Sequence, residues 1–144
     1  MKTLITALAV AAASGAALAE NGPAGLWKTS EDGGRAAATL VRLSDSGGTL
    51  SGRIEKLLDP ARQDARCEAC SDDRKGQPLL GLSIVRNARP DAAEAGAWSG
   101  GEILDPATGK VYRARLTPLD GGRKLELRIY AGPVHRTQTW TRVE

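Results

Sequence analysis

Alternating apolar and polar residues run from Trp98 to Tyr130 and predict three antiparallel strands joined by two turns. The turns are marked by Asp-Pro-Ala-Thr-Gly at 105–109 and by Asp-Gly-Gly at 120–122, which are residue types typical of hairpin loops. The apolar residues of the last two strands share one face: they are Tyr112, Ala114, Leu116, Leu125, Leu127 and Ile129. Because side chains alternate along a strand, this pattern predicts a sheet with one buried face and one polar face.

The second turn also predicts how the last two of these strands pair. A two-residue loop at 120–121 would place Leu116 opposite Leu125 and Arg115 opposite Glu126. This register keeps apolar side chains together and sets opposite charges across from each other. We therefore expect this pairing, with the arginines of these strands on the outer face because burying unpaired charge is costly. Those arginines are Arg113, Arg115 and Arg128.

Five more strands are predicted in the rest of the chain. Their ranges are 25–29, about 35–43, 50–55, 82–86 and 137–143. Short, turn-rich links join most of them, and we expect a loop at 87–96 and a turn at 132–135 that contains His135. Residues 57–80 break this rhythm with a long charged connection that holds both cysteines, and connections of this length are often lids or binding loops.

These strands predict an all-β fold: an eight-stranded antiparallel up-and-down barrel with one long loop between the third and fourth strands. Closing the sheet removes exposed edges, and eight strands leave an interior that is either filled or able to hold one small ligand. A β-sandwich of the same strands is the alternative. We expect the long loop to lie as a lid over one mouth of the barrel.

The first nineteen residues have the pattern of a secretory signal peptide. A positive start at Lys2 precedes an apolar stretch over 4–18, and Ala17-Leu18-Ala19 forms an A-x-A cleavage site. The stretch is too short and too rich in alanine for a stable membrane span. We expect cleavage after Ala19, a barrel domain over residues 20–144 and export to the periplasm.

The charge of the exported chain does not indicate a nucleic-acid partner. Removal of Lys2 leaves 19 basic and 17 acidic residues, which is a net charge of +2. The two signs are interspersed along the strands, whereas nucleic-acid binders concentrate basic residues on one face and add stacking aromatics. We expect no nucleic-acid partner, and the oligomeric state stays open.

The cysteines form a Cys-x-x-Cys motif at Cys67 and Cys70. A thioredoxin-like dithiol needs a helix and a βαβ context, which this chain does not show. Zinc needs about four ligands, and His135 with Asp72 or Asp73 would be required to complete a set. A disulfide that pins the long loop is the interpretation we favour over a redox-active pair and a metal site, so no metal or cofactor is expected.

Several motifs together resemble a known family. They are Gly25-x-Trp27, Gly52-Arg53-Ile54, Cys67-x-x-Cys70, Gln77-Pro78-Leu79-x-Gly81-Leu82, Trp98-x-Gly100-Gly101-x-Ile103-Leu104-Asp105-Pro106, Gly109-Lys110-x-Tyr112 and Arg136-Thr137-Gln138-Thr139-Trp140-Thr141-Arg142. The chain resembles small exported bacterial proteins that are grouped as a domain of unknown function. The resemblance implies a lipocalin-like barrel in the periplasm, with Arg142 lying across Trp27 to close it, and implies no established activity.

The aromatic residues are the candidate ligand contacts. Trp27, Trp98, Tyr112 and Trp140 could line a cavity in the barrel, and the alternative is that the tryptophans fill one end of it. No combination of nucleophile and base resembles a catalytic set, so we do not expect an enzyme. The predicted function is binding of a small apolar or amphipathic ligand. A filled barrel that acts through its surface and long loop is the second hypothesis, and a thiol-redox protein is the third.

Overall fold

Eight antiparallel strands close into one barrel in the computed structural model, which describes residues 22–29 and 39–144. The strands are β1 (Gly25–Lys28), β2 (Thr39–Ser46), β3 (Thr49–Leu57), β4 (Ser83–Pro90), β5 (Trp98–Asp105), β6 (Lys110–Leu119), β7 (Lys124–Ala131) and β8 (Val134–Arg142). Each strand pairs with its neighbours in sequence, and β1 pairs with β8 to complete the ring. The predicted all-β, up-and-down barrel is confirmed, and the predicted signal peptide at 1–19 lies outside the described residues.

The alternation of side chains explains why the sheet closes around a core. In β3, Leu50, Gly52 and Ile54 are buried, while the residues between them are exposed. The same pattern continues around the ring, and the core contains side chains from all eight strands. Burial of one apolar face per strand is the main stabilising contribution, at roughly 25 cal/mol for each Å² of apolar surface removed from water.

The connections divide the barrel into two ends. The links β2–β3, β4–β5 and β6–β7 lie at one end, together with the residues before β1 and after β8, and we call this the terminal end. The links β3–β4, β5–β6 and β7–β8 lie at the other end, which we call the mouth. Within the described residues, no helix has the length and apolar character needed to cross a membrane.

Small residues bring the strands close together inside the barrel. A Cβ on Gly101 would lie 2.8 Å from the Cβ of Ala88, and one on Gly52 would lie 2.6 Å from Cδ2 of Leu43. Both distances are below the contact limit for carbon atoms, so glycine is the residue that these positions accommodate. The inner faces of β3 and β5 therefore pack directly against neighbouring side chains.

The predicted register between β6 and β7 was wrong by two residues. Leu116 lies opposite Leu127, not Leu125, and Arg115 lies opposite Arg128, not Glu126. The turn uses residues 120–123, of which Asp120, Gly121 and Gly122 all have a positive φ, so it is longer than the two-residue loop that the sequence suggested. A shift of two preserves which side chains face inward, and the predicted facing of the apolar set is confirmed.

The ends of several strands also differ from the prediction, and those of β4 and β8 change the course of the chain most. β4 continues through the predicted loop as far as Pro90, with Asn87 at φ 64° forming an irregularity that disturbs the alternation. β8 begins at Val134, so Gly132 and Pro133 alone make the turn between β7 and β8. His135 is therefore a strand residue opposite Tyr130, with 6.0 Å between the ring centres, and not a loop residue as predicted.

Candidate functional site

The terminal end is closed by Arg142, whose guanidinium carbon lies 4.3 Å from the ring centre of Trp27. Arg142 donates Nη1 to the carbonyl oxygen of Ala24 at 2.8 Å and Nε to that of Gly122 at 2.5 Å, and it also bonds the carbonyl of Gly22. The indole Nε1 of Trp27 donates to the Pro23 carbonyl oxygen at 2.8 Å. One planar cation thus binds three carbonyl groups, from the segment before β1 and from the β6–β7 turn, while it lies over an aromatic ring. The contact between Arg142 and Trp27 is the one that the family resemblance implied.

Gly25 leaves room for this closure. A Cβ on Gly25 would lie 2.4 Å from Nη1 of Arg142 and 2.6 Å from the carbonyl oxygen of Glu144, and φ of Gly25 is +140°. The backbone NH of Leu26 donates to that same Glu144 oxygen at 2.8 Å. Gly25 is therefore required at the closed end, because any side chain there would collide with Arg142 and Glu144.

The three tryptophans gather toward the terminal end. Trp27 and Trp140 are 0% and 1% exposed, and Trp98, the first residue of β5, is 9% exposed. Trp140 pairs with Leu125 near the start of β7, and Trp98 pairs with Leu116 near the end of β6. These side chains form part of the packed core.

Tyr112 lies elsewhere, near the start of β6 and hence toward the mouth. It pairs with the buried Ile103 on the inner face of the barrel and is itself half-buried. Trp98 lies opposite Leu116, so Tyr112 is four residues away from it along β6, on the side of the mouth. The four predicted ligand contacts are not brought together in one site.

A pocket of about 180 Å³ opens at the mouth beside Tyr112. The other residues that line it are Ile129, Ala131, Val134, His135 and Arg136. Ile129 pairs with Arg136, and Ala131 pairs with Val134, so these four lie on the inner faces of β7 and β8, next to Tyr112 on the inner face of β6. The pocket has an apolar wall and a polar rim, which is the arrangement that orients an amphipathic molecule.

Sequence reasoning missed most of the mouth residues. β8 was predicted to begin at Thr137, which left Val134 and Arg136 outside the barrel. Val134, Arg136, Gln138 and Trp140 all occupy inward positions of β8. Because Arg136 is long and polar, the sequence does not show the apolar-polar alternation expected of a strand with a buried face. An inward arginine near a barrel opening reaches solvent, so it escapes the rule that inward positions are apolar.

The long connection between β3 and β4 packs on the outer wall of the barrel. Strand alternation places Ile84 and Leu104 on the outer faces of β4 and β5, yet they are only 6% and 4% exposed. Cys67 Sγ lies 3.8 Å from the Pro106 carbonyl oxygen, and Gly109 is in direct contact with Ala69. The part of the connection that carries the cysteines therefore packs against the β5–β6 turn, at the mouth end, and covers the outward apolar side chains of Ile84 and Leu104. That the connection also lies as a lid over the mouth stays a prediction.

Arg74 anchors this segment and is 5% exposed. Its Nη1 donates to the Ser83 carbonyl oxygen at 2.9 Å, and its Nη2 lies 2.5 Å from Oδ2 of Asp72. The Arg74 hydrogen bonds lower the pKa of Asp72 to about 2. Asp73 pairs with Arg86 on β4 at 3.0 Å, so Arg74 and Asp73 tie the segment to the barrel wall, while Asp72 holds the Arg74 guanidinium from within the segment.

Cys67 and Cys70 form a disulfide, with 5.4 Å between their Cα atoms. Both are buried, at 0% and 1% exposure. An attacking thiolate needs access to a sulfur atom, so exchange at this disulfide requires the segment to open first. Among the residues described, no group of three metal-ligating side chains comes together, and Asp72 and Asp73 are occupied by arginines.

A solved structure has the same fold. A Helicobacter pylori protein, described as belonging to the lipocalin family, superimposes with a TM-score of 0.72 over 85% of this chain and 83% of its own. The two sequences are 17% identical, so the similarity is one of fold.

Two curated proteins match part of the chain at higher identity. They are the DNA mismatch repair proteins MutS of Anaeromyxobacter sp. (strain K) and of Anaeromyxobacter dehalogenans (strain 2CP-C), each 37% identical over 86 residues. The match covers 58% of this chain but only 10% of each MutS protein. The chain thus spans about a tenth of the length of these relatives.

The family comparison covers nearly the whole barrel. The match runs over residues 25–142, from the Gly25-x-Trp27 element to the Arg142 that closes on it, and the family is described as "Uncharacterized protein conserved in bacteria (DUF2147)". The eight strands, the contact between Arg142 and Trp27 and the disulfide segment all lie within those limits. The chain therefore belongs to the DUF2147 family of bacterial proteins, with a lipocalin-like β-barrel fold.

Proposed function

We propose that this protein is exported to the periplasm and binds a small amphipathic molecule at the mouth of its barrel. The observation that carries the proposal is the pocket of about 180 Å³ beside Tyr112, with an apolar wall and a polar rim. Ligand pockets in proteins are typically about 300–1,000 Å³. The mouth is smaller, so it holds the apolar end of a ligand while the polar end stays at the rim.

The placement of the aromatic residues narrows the candidate contacts. Tyr112 and Ile129 are the proposed contact residues, since both line the pocket from the inner face. Trp27 and Trp140 are buried toward the opposite end, where their role is to fill and close the barrel. We propose the same structural role for Trp98, because it begins β5 at the terminal end.

Titration with saturated fatty acids of different chain lengths, read by amide shifts in NMR, tests the binding proposal. We expect saturable shifts around the mouth with an affinity near micromolar, which is about −8 kcal/mol. Tyr112→Ala should weaken binding at least several-fold. Arg113→Ala is the matched control, because Arg113 is the next residue of β6 and lies exposed on the outer face.

A lipid and metabolite panel that shifts neither these amides nor the melting temperature would overturn the proposal. It would favour the second candidate, a filled barrel that acts through its surface. The observation behind that alternative is the disulfide segment, which Arg74 and Asp73 hold on the outer wall. Export is tested separately: the amino terminus of periplasmic protein is expected at Glu20, and an intact Met1 would contradict it.

A further inference from the structure

A second concave site lies on the outer wall of the barrel, away from the mouth. It is a groove of about 400 Å³ over β2 and β3, bordered by Leu80 and Gly81 of the long connection. Its remaining lining residues are Arg42, Ser44, Ser51, Gly52, Arg53, Ile54 and Glu55. The volume falls within the range of about 300–1,000 Å³ that small-molecule sites occupy.

Four polar side chains form the floor of this groove. Arg42 pairs with Arg53 across β2 and β3, and Ser44 pairs with Ser51 one step further along the same face. Like charges directly opposite each other on neighbouring strands destabilise a sheet. The pair persists because Arg42 is neutralised by carboxylates: its Nη2 lies 3.0 Å from Oε2 of Glu55 and 2.7 Å from Oε1 of Glu144.

Arg53 is held differently. Its Nη1 donates to the carbonyl oxygen of Gly81 at 3.2 Å, and within the described residues no carboxylate lies within ion-pair distance of it. That hydrogen bond directs the guanidinium toward the groove border while leaving further N–H donors for a ligand. Arginine donors in this fork geometry match the two oxygens of a carboxylate.

The groove also has an apolar border. Leu80 is 49% exposed beside Gly81, so its side chain offers an apolar surface next to the Arg53 head group. The groove lining contains two arginines and one glutamate, and Glu144 contacts Arg42 without lining the groove. A ligand with one negative charge and a short apolar chain fits this combination of charge and surface.

We propose that this groove binds a small carboxylic acid with a short apolar chain, with its carboxylate on Arg53 and its chain on Leu80. Ser44 and Ser51 line the same groove, and in this proposal their hydroxyl groups supply further donors to the carboxylate. Such a group occurs on free organic acids and at the carboxyl end of a peptide. The site is separate from the mouth, because its side chains lie on the outer face of β2 and β3.

An NMR titration with two probes tests this inference. 4-Methylpentanoate represents a free acid, and N-acetyl-leucine represents a peptide carboxyl end; N-acetyl-leucinamide is the neutral control. We expect saturable shifts at Ser51, Arg53 and Gly81 with at least one acid and none with the amide. The acid that binds more tightly identifies the source of the carboxylate. Shifts that are absent with both acids, or equal with the amide, would overturn the proposal.

Two variants with opposite expected effects on the dissociation constant distinguish a loss of binding from damage to the fold. Arg53→Gln should raise the dissociation constant about tenfold or more, since hydrogen bonds to charged groups are among the stronger ones. Glu55→Gln should lower it, because the substitution removes a repelling carboxylate and releases Arg42. Arg113→Gln, an exposed arginine on another face, should leave it unchanged.

Tyr112→Ala distinguishes the groove from the mouth. If this variant abolishes the shifts and Arg53→Gln does not, the acid binds in the mouth, and the groove proposal fails while the proposed function stands. If Arg53→Gln and Glu55→Gln both weaken binding, the substitutions act through the fold and the proposal is also overturned. A Tyr112→Ala variant that retains the shifts supports two independent sites.

Discussion

Gly109 and Ala69 interlock the turn between β5 and β6 with the disulfide segment. A Cβ on Gly109 would lie 1.9 Å from the Ala69 carbonyl oxygen, a distance that no side chain tolerates. Gly109 also has a positive φ of 74°, so both its conformation and its surroundings favour glycine. The long connection and the barrel wall therefore pack tightly against each other at this point.

Gly109→Ala should therefore destabilise the protein by more than its backbone strain alone. The left-handed conformation costs an L-residue about 1–2 kcal/mol, and the displacement of Ala69 adds to that. Gly132→Ala is the control, since Gly132 has a similar φ of 62° and open space around it. Denaturant unfolding of both variants measures the difference in their free energies of unfolding. Equal decreases would show that the Ala69 segment can move away from residue 109 without a cost.

Leu127→Asp should unfold the domain, because Leu127 is 0% exposed and an ionised carboxylate there would lack a partner. Glu126→Ala, one residue earlier on the outer face, should change the free energy of unfolding by less than about 1 kcal/mol, as exposed ion pairs are weak. Circular dichroism of both variants tests the prediction. If Leu127→Asp stays folded and Glu126→Ala is destabilised, the assignment of inward and outward residues in β7 is contradicted.

Arg142→Lys should open the terminal end although it keeps the positive charge. Lysine lacks the planar guanidinium group, so it cannot donate hydrogen bonds to the carbonyl groups of Ala24 and Gly122 together while it stacks on Trp27. We expect a loss of about 1–3 kcal/mol and a red shift of tryptophan emission as water reaches Trp27. Arg113→Lys on the outer face is the control. A variant as stable as the wild type would mean that charge alone closes this end.

Acid should weaken the link between β4 and β5 through Asp91. The backbone NH groups of Glu94 and Ala93 donate to its Oδ1 at 2.9 and 2.8 Å, and they lower the pKa of Asp91 to about 2. The ionised form is favoured in the folded state, so its contribution is complete above the unfolded pKa of about 3.9 and is lost as the pH falls toward 2.

Comparison of the wild type with Asp91→Asn in urea at pH 6 and at pH 2.5 tests this. The gap in unfolding free energy between the two proteins should be larger at pH 6 and shrink at pH 2.5. Asp64→Asn, an exposed residue of the long connection, is the reference substitution. A gap that stays constant between the two pH values would contradict the assignment.

Sequence alone predicted the features that depend on local periodicity. The alternation in β3 and from β5 to β7 identified inward and outward residues, since a strand repeats every two residues wherever it lies. The eight-strand count and the short links then favoured a closed barrel. The spacing of Cys67 and Cys70, in a chain predicted to be exported, favoured the disulfide.

Tertiary structure decided what depends on contacts between distant segments. The register of Leu116 against Leu127 follows from a turn whose backbone winds through three positive φ angles, which two-residue hairpin rules do not describe. Ile84 and Leu104 face outward by alternation, and only the packed disulfide segment explains why they are apolar. The pocket beside Tyr112 depends on how β6, β7 and β8 pair at the mouth, and the groove beside Arg53 depends on where the long connection places Leu80 and Gly81 against β2 and β3. Neither placement follows from a local pattern of apolar and polar residues.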